Sequence, residues 1–133
     1  MEILHLLADE AAQVGSSLIS SLNPTIIGLI FGGSLLGMLV GAIPGLTATM
    51  ALALLINLSY GMQLENAVAF LLAVYIGAVS GGLNAAIMIN IPGTPSAAAT
   101  CLDGFPLAKQ GKGGLAIGTG IIASFVGTLF SIA

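Results

Sequence analysis

Ile43-Pro44-Gly45-Leu46-Thr47-Ala48-Thr49 and, 48 positions later, Ile91-Pro92-Gly93-Thr94-Pro95-Ser96 are the stretches on which the reading of this chain turns. Each interrupts a long apolar run at the same tripeptide, and each is followed by small and hydroxyl-bearing residues. Proline lacks an N–H and clashes with the turn before it, while glycine loosens the backbone, so a helix arriving at either string ends there. Pro44-Gly45 ends the apolar run over 25–43, and Pro92-Gly93 ends the one over 67–91. Only Ile-Pro-Gly is repeated, which is weak as a trace of duplication. What it means physically depends on the solvent around the flanking runs.

Composition identifies that solvent. The 133 residues include 2 Lys or Arg and 5 Asp or Glu, so charged residues make up 5%, against about 25% in a soluble domain. Between Glu10 and Glu65 lie 54 residues without a charge, and hydrophobic residues make up 57% of the chain. So few charges cannot solvate the surface of a soluble fold. There is no basic patch for nucleic acid, and the hydrophobicity excludes a disordered chain. The solvent is the lipid bilayer. A spanning helix takes about 20 residues, so the chain is an all-α integral membrane protein of about four membrane segments, two of them discontinuous or re-entrant at the Pro-Gly breaks.

Residues 1–133 read as one membrane domain. Ile3, Leu7, Ala11, Val14, Leu18 and Leu22 recur at helical spacing and predict an amphipathic interfacial helix over 1–22. Asn23-Pro24 starts a helix and a first broken-helix unit follows over 25–60, in which 46–59 is too short to cross alone. A second unit covers 66–102, a polar connector runs from Asp103 to Lys112, and a further transmembrane helix covers 113–133. The end in an apolar run, Phe130-Ser131-Ile132-Ala133, leads us to expect the N-terminal portion of a longer protein. Gly33, Gly37, Gly41 and Gly45 recur at every fourth position, a ladder that lets another backbone approach closely. We favour packing over substrate contact as its role.

The two breaks also predict a site. An unpaired backbone group in hydrocarbon costs several kcal/mol, so irregular backbone at membrane depth is tolerated only where protein buries it or a wet cavity receives it. Matched breaks of this kind point to a transporter's binding site. The half-helix starting after each break has free N–H groups and a positive dipole end. With hydroxyls from Thr47, Thr49, Thr94 and Ser96, this makes an anion site without Lys or Arg. The competing reading is that Pro-Gly only kinks packed helices and the hydroxyls bond back to carbonyls one turn earlier. Pro44, Gly45, Leu46, Thr47, Thr49, Asn90, Pro92, Gly93, Thr94, Pro95 and Ser96 are the candidate substrate-binding residues. Asn90 could equally coordinate a ligand or tie down the broken backbone. Asn84 is a second polar residue within the apolar run. A Na+ ion could sit near the freed carbonyls at Ile43, Pro44, Asn90 and Ile91. Asp103 is read as a helix-start cap in preference to a holder of a coupling ion.

Enzymatic chemistry finds no support. The chain has one cysteine, Cys101, and one histidine, His5, so it offers no disulfide, no cysteine–histidine metal cluster and no nucleophile–base set. Gly111-Lys112-Gly113 lacks the spacing of a phosphate-binding loop. No cofactor is expected beyond a coupling Na+ or H+.

Several strings together resemble the large permease subunit of the tripartite tricarboxylate transporter family. They are Pro44 to Leu52, Tyr60-Gly61-Met62, Tyr75-Ile76-Gly77 with Gly81-Gly82, Asn90 to Pro95, and Asp103-Gly104-Phe105-Pro106-Leu107-Ala108 with Gln110-Gly111-Lys112. They occur in order over about residues 28–127. The resemblance implies a multi-pass permease of the bacterial inner membrane that takes up di- or tricarboxylates, citrate-like anions, by cation symport. It implies as partners a small membrane subunit and a periplasmic solute-binding protein, with a homodimer as a further candidate assembly. The chain departs from the family pattern at Asn57, Ser80 and Leu83-Asn84. The alternative is a small membrane protein that does not transport, an assembly subunit or a truncated relic.

Overall fold

The computed structural model describes residues 23–132, with Asp9 and Gln13 before them. The amphipathic helix expected over 1–22 otherwise lies outside the described residues. Those residues form helices and connectors without strands. The first helix, α1, spans Pro24–Gly41; Asn23 caps it, its side chain accepting from the Thr25 N–H, and Pro24 fills the first turn, where no N–H is needed. A short helix, α2, spans Ala48–Leu55 and tightens into a 3₁₀ turn over Ile56–Ser59. The longest helix, α3, spans Leu64–Ile89. A 3₁₀ turn over Pro95–Ala97 leads into α4 (Ala98–Leu107), a π turn (Ala108–Lys112) and α5 (Gly113–Ile132).

Among the described residues, three stretches are long and apolar enough to cross a membrane: Pro24–Gly41, Leu64–Ile89 and Pro95–Ser131. The third is not one rod. Gly111, with φ of 78°, breaks it into α4 and α5. The apolar helix Ala48–Ser59 is shorter, as its sequence predicts. The polar connector expected over 103–112 is a correction: helix continues to Leu107, because nothing before Gly111 forces a left-handed residue, and Pro106 displaces only one ladder bond.

Glycines fix how α1 and α3 meet. A Cβ on Gly33 would lie 2.9 Å from the Phe70 carbonyl oxygen, and Cβ atoms on Gly37 and Gly41 would overlap the carbonyls of Val74 and Ala78. From the other side, Gly77 sits on Ser34 and Gly81 on Met38. Partner numbers rise together, so the two helices run parallel with their backbones in contact. Parallel neighbours require a return passage, which residues 42–63 supply. In it, Ala48 and Ala51 join Phe70, Val74 and Ala78 in one buried cluster. Outward-facing Phe31, Leu39, Ile122, Phe125 and Phe130 are exposed, the arrangement expected where lipid is the solvent.

The second half folds onto the far end of α3. Asn90 adopts a left-handed conformation (φ 57°) and stops that helix. The chain then doubles back, and Thr94 packs on Gly82, eight residues and about 12 Å back along α3 at 1.5 Å per residue. From there α4 runs towards the end of α3 again, with Gly104 buried against Ile87. α5 returns, Gly113 lying beside Met88 and Gly120 beside Leu83. The second unit therefore doubles back along α3, whereas the first is a bend between two antiparallel segments.

Candidate functional site at the meeting of the two breaks

The first break begins where α1 runs out. The Ala42 N–H donates to the Met38 carbonyl, the Ile43 N–H to Val40 and the Leu46 N–H to Ile43, closing a tight turn around Pro44. Gly45 takes φ of 88° there, a conformation that glycine supplies without strain. Thr47 is extended and caps α2: its Oγ1 accepts from the Met50 N–H at 3.3 Å and lies 2.7 Å from the Thr49 Oγ1.

The second break is built the same way with different geometry. Thr94 is extended and 5% exposed, the one buried polar side chain among the described residues. Its Oγ1 lies 3.1 Å from the Ser96 Oγ, and its carbonyl accepts from the Ala97 N–H. Both breaks thus carry a hydroxyl pair. Five other hydroxyls do what packed helices ask of them. Ser34, Ser59, Ser80, Thr119 and Thr128 all donate to carbonyls three or four residues earlier. That is the bonding that a mere kink predicts, and the break hydroxyls do not follow it.

The breaks meet through three glycines. A Cβ on Gly93 would overlap the Gly41 carbonyl and lie 2.8 Å from the Gly82 Cα. A Cβ on Gly82 would lie 3.0 Å from the Thr94 Cγ2 and 3.1 Å from its Oγ1. Gly41 is the last residue of α1, three before Pro44. The loop after Asn90 therefore reaches the level at which the first helix breaks. Gly82 was not among the expected site residues, and Gly41 was expected only to pack. Their signal in the sequence is the small-residue pattern, which does not say which glycines face another glycine.

Other expected residues lie apart. Asn90 is exposed at the end of α3, beyond the junction, and its main visible role is the left-handed cap. Ile91 is exposed beside it. The carbonyl of Ile43 already accepts from Leu46. Pro44, Gly45, Pro95 and Ser96 are exposed, and Leu46, Thr47 and Pro92 half-buried. Asp103 is not a helix-start cap: it stands inside α4, because the helix begins earlier, behind Pro95. It lines a cavity of about 400 Å³ with Thr100, Thr119 and Ala123. Lys109 lies 4.8 Å from the centre of the Phe105 ring, in a separate cavity of about 470 Å³ with Met88 and Gly113. The Asn84 side-chain oxygen is buried with no hydrogen-bond partner. No cluster of His, Cys, Asp or Glu able to hold a metal occurs among the described residues.

Long apolar helices, a glycine-mediated parallel helix pair and a loop that doubles back to a second helix break define a helical membrane protein. Comparison with known proteins gives the family. The model of the tripartite tricarboxylate transporter TctA family matches residues 27–133, and the chain belongs to that family, one of transporters and not of enzymes. It is also 38% identical over 106 residues to a protein of Agrobacterium vitis described as an uncharacterized 52.8 kDa protein in the TAR-I ttuC' 3' region. The match covers 80% of this chain and 21% of that protein, so the chain spans about a fifth of its relative's length. No solved structure matches.

Proposed function

We propose that the chain forms part of a permease that imports di- or tricarboxylate anions across the bacterial inner membrane, driven by a cation gradient. It works with a small membrane subunit and a periplasmic solute-binding protein. The observation that carries this reading is the convergence of the two breaks at Gly41, Gly82 and Gly93, with the Thr94–Ser96 hydroxyl pair beside them. Family membership supports the substrate class and the tripartite assembly. No charged residue lies in 24–64 or 66–102, so near the breaks a carboxylate would be held by N–H groups, hydroxyls and a co-bound cation.

The test is uptake of labelled citrate, tartrate and succinate into cells carrying the full-length permease with its two partners. Thr94→Val keeps the buried shape and removes the hydroxyl. Uptake at subsaturating substrate should fall about tenfold, the effect of losing one hydrogen bond to a charged group, at unchanged permease levels. Thr47→Ser should retain uptake and Thr47→Ala should lose it. Normal uptake in Thr94→Val and Thr47→Ala together would remove the breaks from the substrate path.

A further inference from the structure

Asn84 lacks a polar partner for its side-chain oxygen. It lies within α3, in a stretch without charge, and its Oδ1 is buried with no donor in reach. Such an atom is costly in a membrane, since nothing in lipid can satisfy it. Its level along α3 follows from the helix register. Gly77 meets Ser34 and Met38, and Gly81, one turn on, meets Met38 and Ala42. The next turn brings Asn84 level with the first break, Ile43-Pro44-Gly45. Two residues before it, Gly82 touches Thr94 of the second break.

What an amide oxygen can bind is restricted. It accepts and never donates, so it cannot face a carboxylate oxygen directly. It suits a cation or the donor of a neutral group. The chemistry of the amide decides between a proton and a metal ion. Between Glu65 and Asp103, and from Pro24 to Leu64, there is no Asp, Glu, His, Lys or Arg; the titratable side chain on the neighbouring α4 is Asp103, which lines the cavity with Thr100, Thr119 and Gly120. An amide oxygen is not protonated in this range, whereas neutral oxygens from amides, carbonyls and hydroxyls are the ligands a hard alkali cation takes. Unwound backbone beside such a residue provides further oxygens.

We infer that Asn84 is a ligand of an alkali cation bound where α3 passes the first Pro-Gly break. Such an ion places a positive charge two residues along α3 from Gly82, on which Thr94 of the second break packs, and it would serve as the coupling ion. The coupling role rests on the transporter reading given above; the binding itself does not.

Two measurements separate those layers. First, the full-length permease is purified in detergent and its thermal unfolding is followed in NaCl against choline chloride at equal ionic strength. Wild type should be stabilised by Na+ with a saturating dependence. In Asn84→Ala the half-saturating Na+ concentration should rise at least about tenfold, while Asn84→Asp, which keeps the oxygen, should still respond. Second, citrate uptake with both partners is measured at varied Na+ and pH. Asn84→Ala should raise the Na+ requirement and leave the citrate KM at saturating Na+ within about twofold of wild type. An unchanged Na+ dependence of unfolding in Asn84→Ala overturns the inference, as does a wild type that responds equally to Na+ and choline. A Na+-stabilised permease that moves none of the carboxylates overturns the transport reading alone. If Asn84→Ala fails to accumulate, Asn84→Ser supplies the same comparison with a shorter oxygen ligand.

Discussion

At the scale of single residues, an asparagine inside α3 and one at its end have opposite fates. Asn84 hides an oxygen without a partner; Asn90 is exposed and spends its character on the backbone, adopting φ of 57° to stop α3. Left-handed backbone costs an ordinary L-residue about 1–2 kcal/mol, less for asparagine and nothing for glycine. That separates the two roles the sequence leaves open for Asn90. Asn90→Gly should keep uptake and thermal stability, because it preserves the cap and discards only the amide. Asn90→Val should lose about 1–2 kcal/mol through the strained β-branched residue. Purified variants compared by thermal unfolding and by citrate uptake settle the matter. A fall in uptake for Asn90→Gly at unchanged stability would restore the amide as a ligand.

At the scale of elements, the same residue type does different work on one helix. Gly37 of α1 is pressed on the Val74 carbonyl, whereas a Cβ on Gly28 meets nothing within 4 Å. Alanine favours a helix by about 1 kcal/mol over glycine, and overpacking costs about 1–3 kcal/mol. Gly28→Ala should therefore be neutral or mildly stabilising. Gly37→Ala should force the parallel pair apart and lower the unfolding temperature of the detergent-solubilised permease. Equal behaviour of the two variants would mean that α1 and α3 do not touch as described. Much at this scale was legible in the sequence. Asn23-Pro24, Pro44-Gly45 and Pro92-Gly93 mark helix ends because proline and glycine act on the backbone locally, whatever surrounds them. The helical course of 103–107 was not, since Asp103, Gly104 and Pro106 have turn chemistry and only Gly104's burial against Ile87 shows why helix wins. Nor was the parallel sense of α1 and α3, which depends on how far the return passage reaches.

At the scale of the whole molecule, the 48-residue offset between the breaks and their meeting in space have different origins. By register, α3 runs on past the point where α1 ends: Gly41 faces Ala78, and α3 continues to Ile89. Equivalent breaks on parallel helices would then sit at different depths. The left-handed turn at Asn90 and the extended residues after it cancel that difference by carrying Gly93 back to Gly41. No local sequence signal announces this return, because it depends on three glycines from distant segments. One substitution tests it. Gly93→Ala places a methyl group against the Gly41 carbonyl and 2.8 Å from the Gly82 Cα, both of them backbone and unable to swing aside. The loop must lift, and the second break must separate from the first. Membrane insertion is set by the long apolar helices and should be unchanged, so permease levels in the membrane should match wild type. Citrate uptake should fall at least about a hundredfold, since a displacement near 1 Å in a positioned site costs about that much. Thr94→Val in the same assay should be milder, because it leaves the backbone in place. Uptake in Gly93→Ala equal to wild type would mean that the breaks do not form one site, whatever their resemblance in sequence.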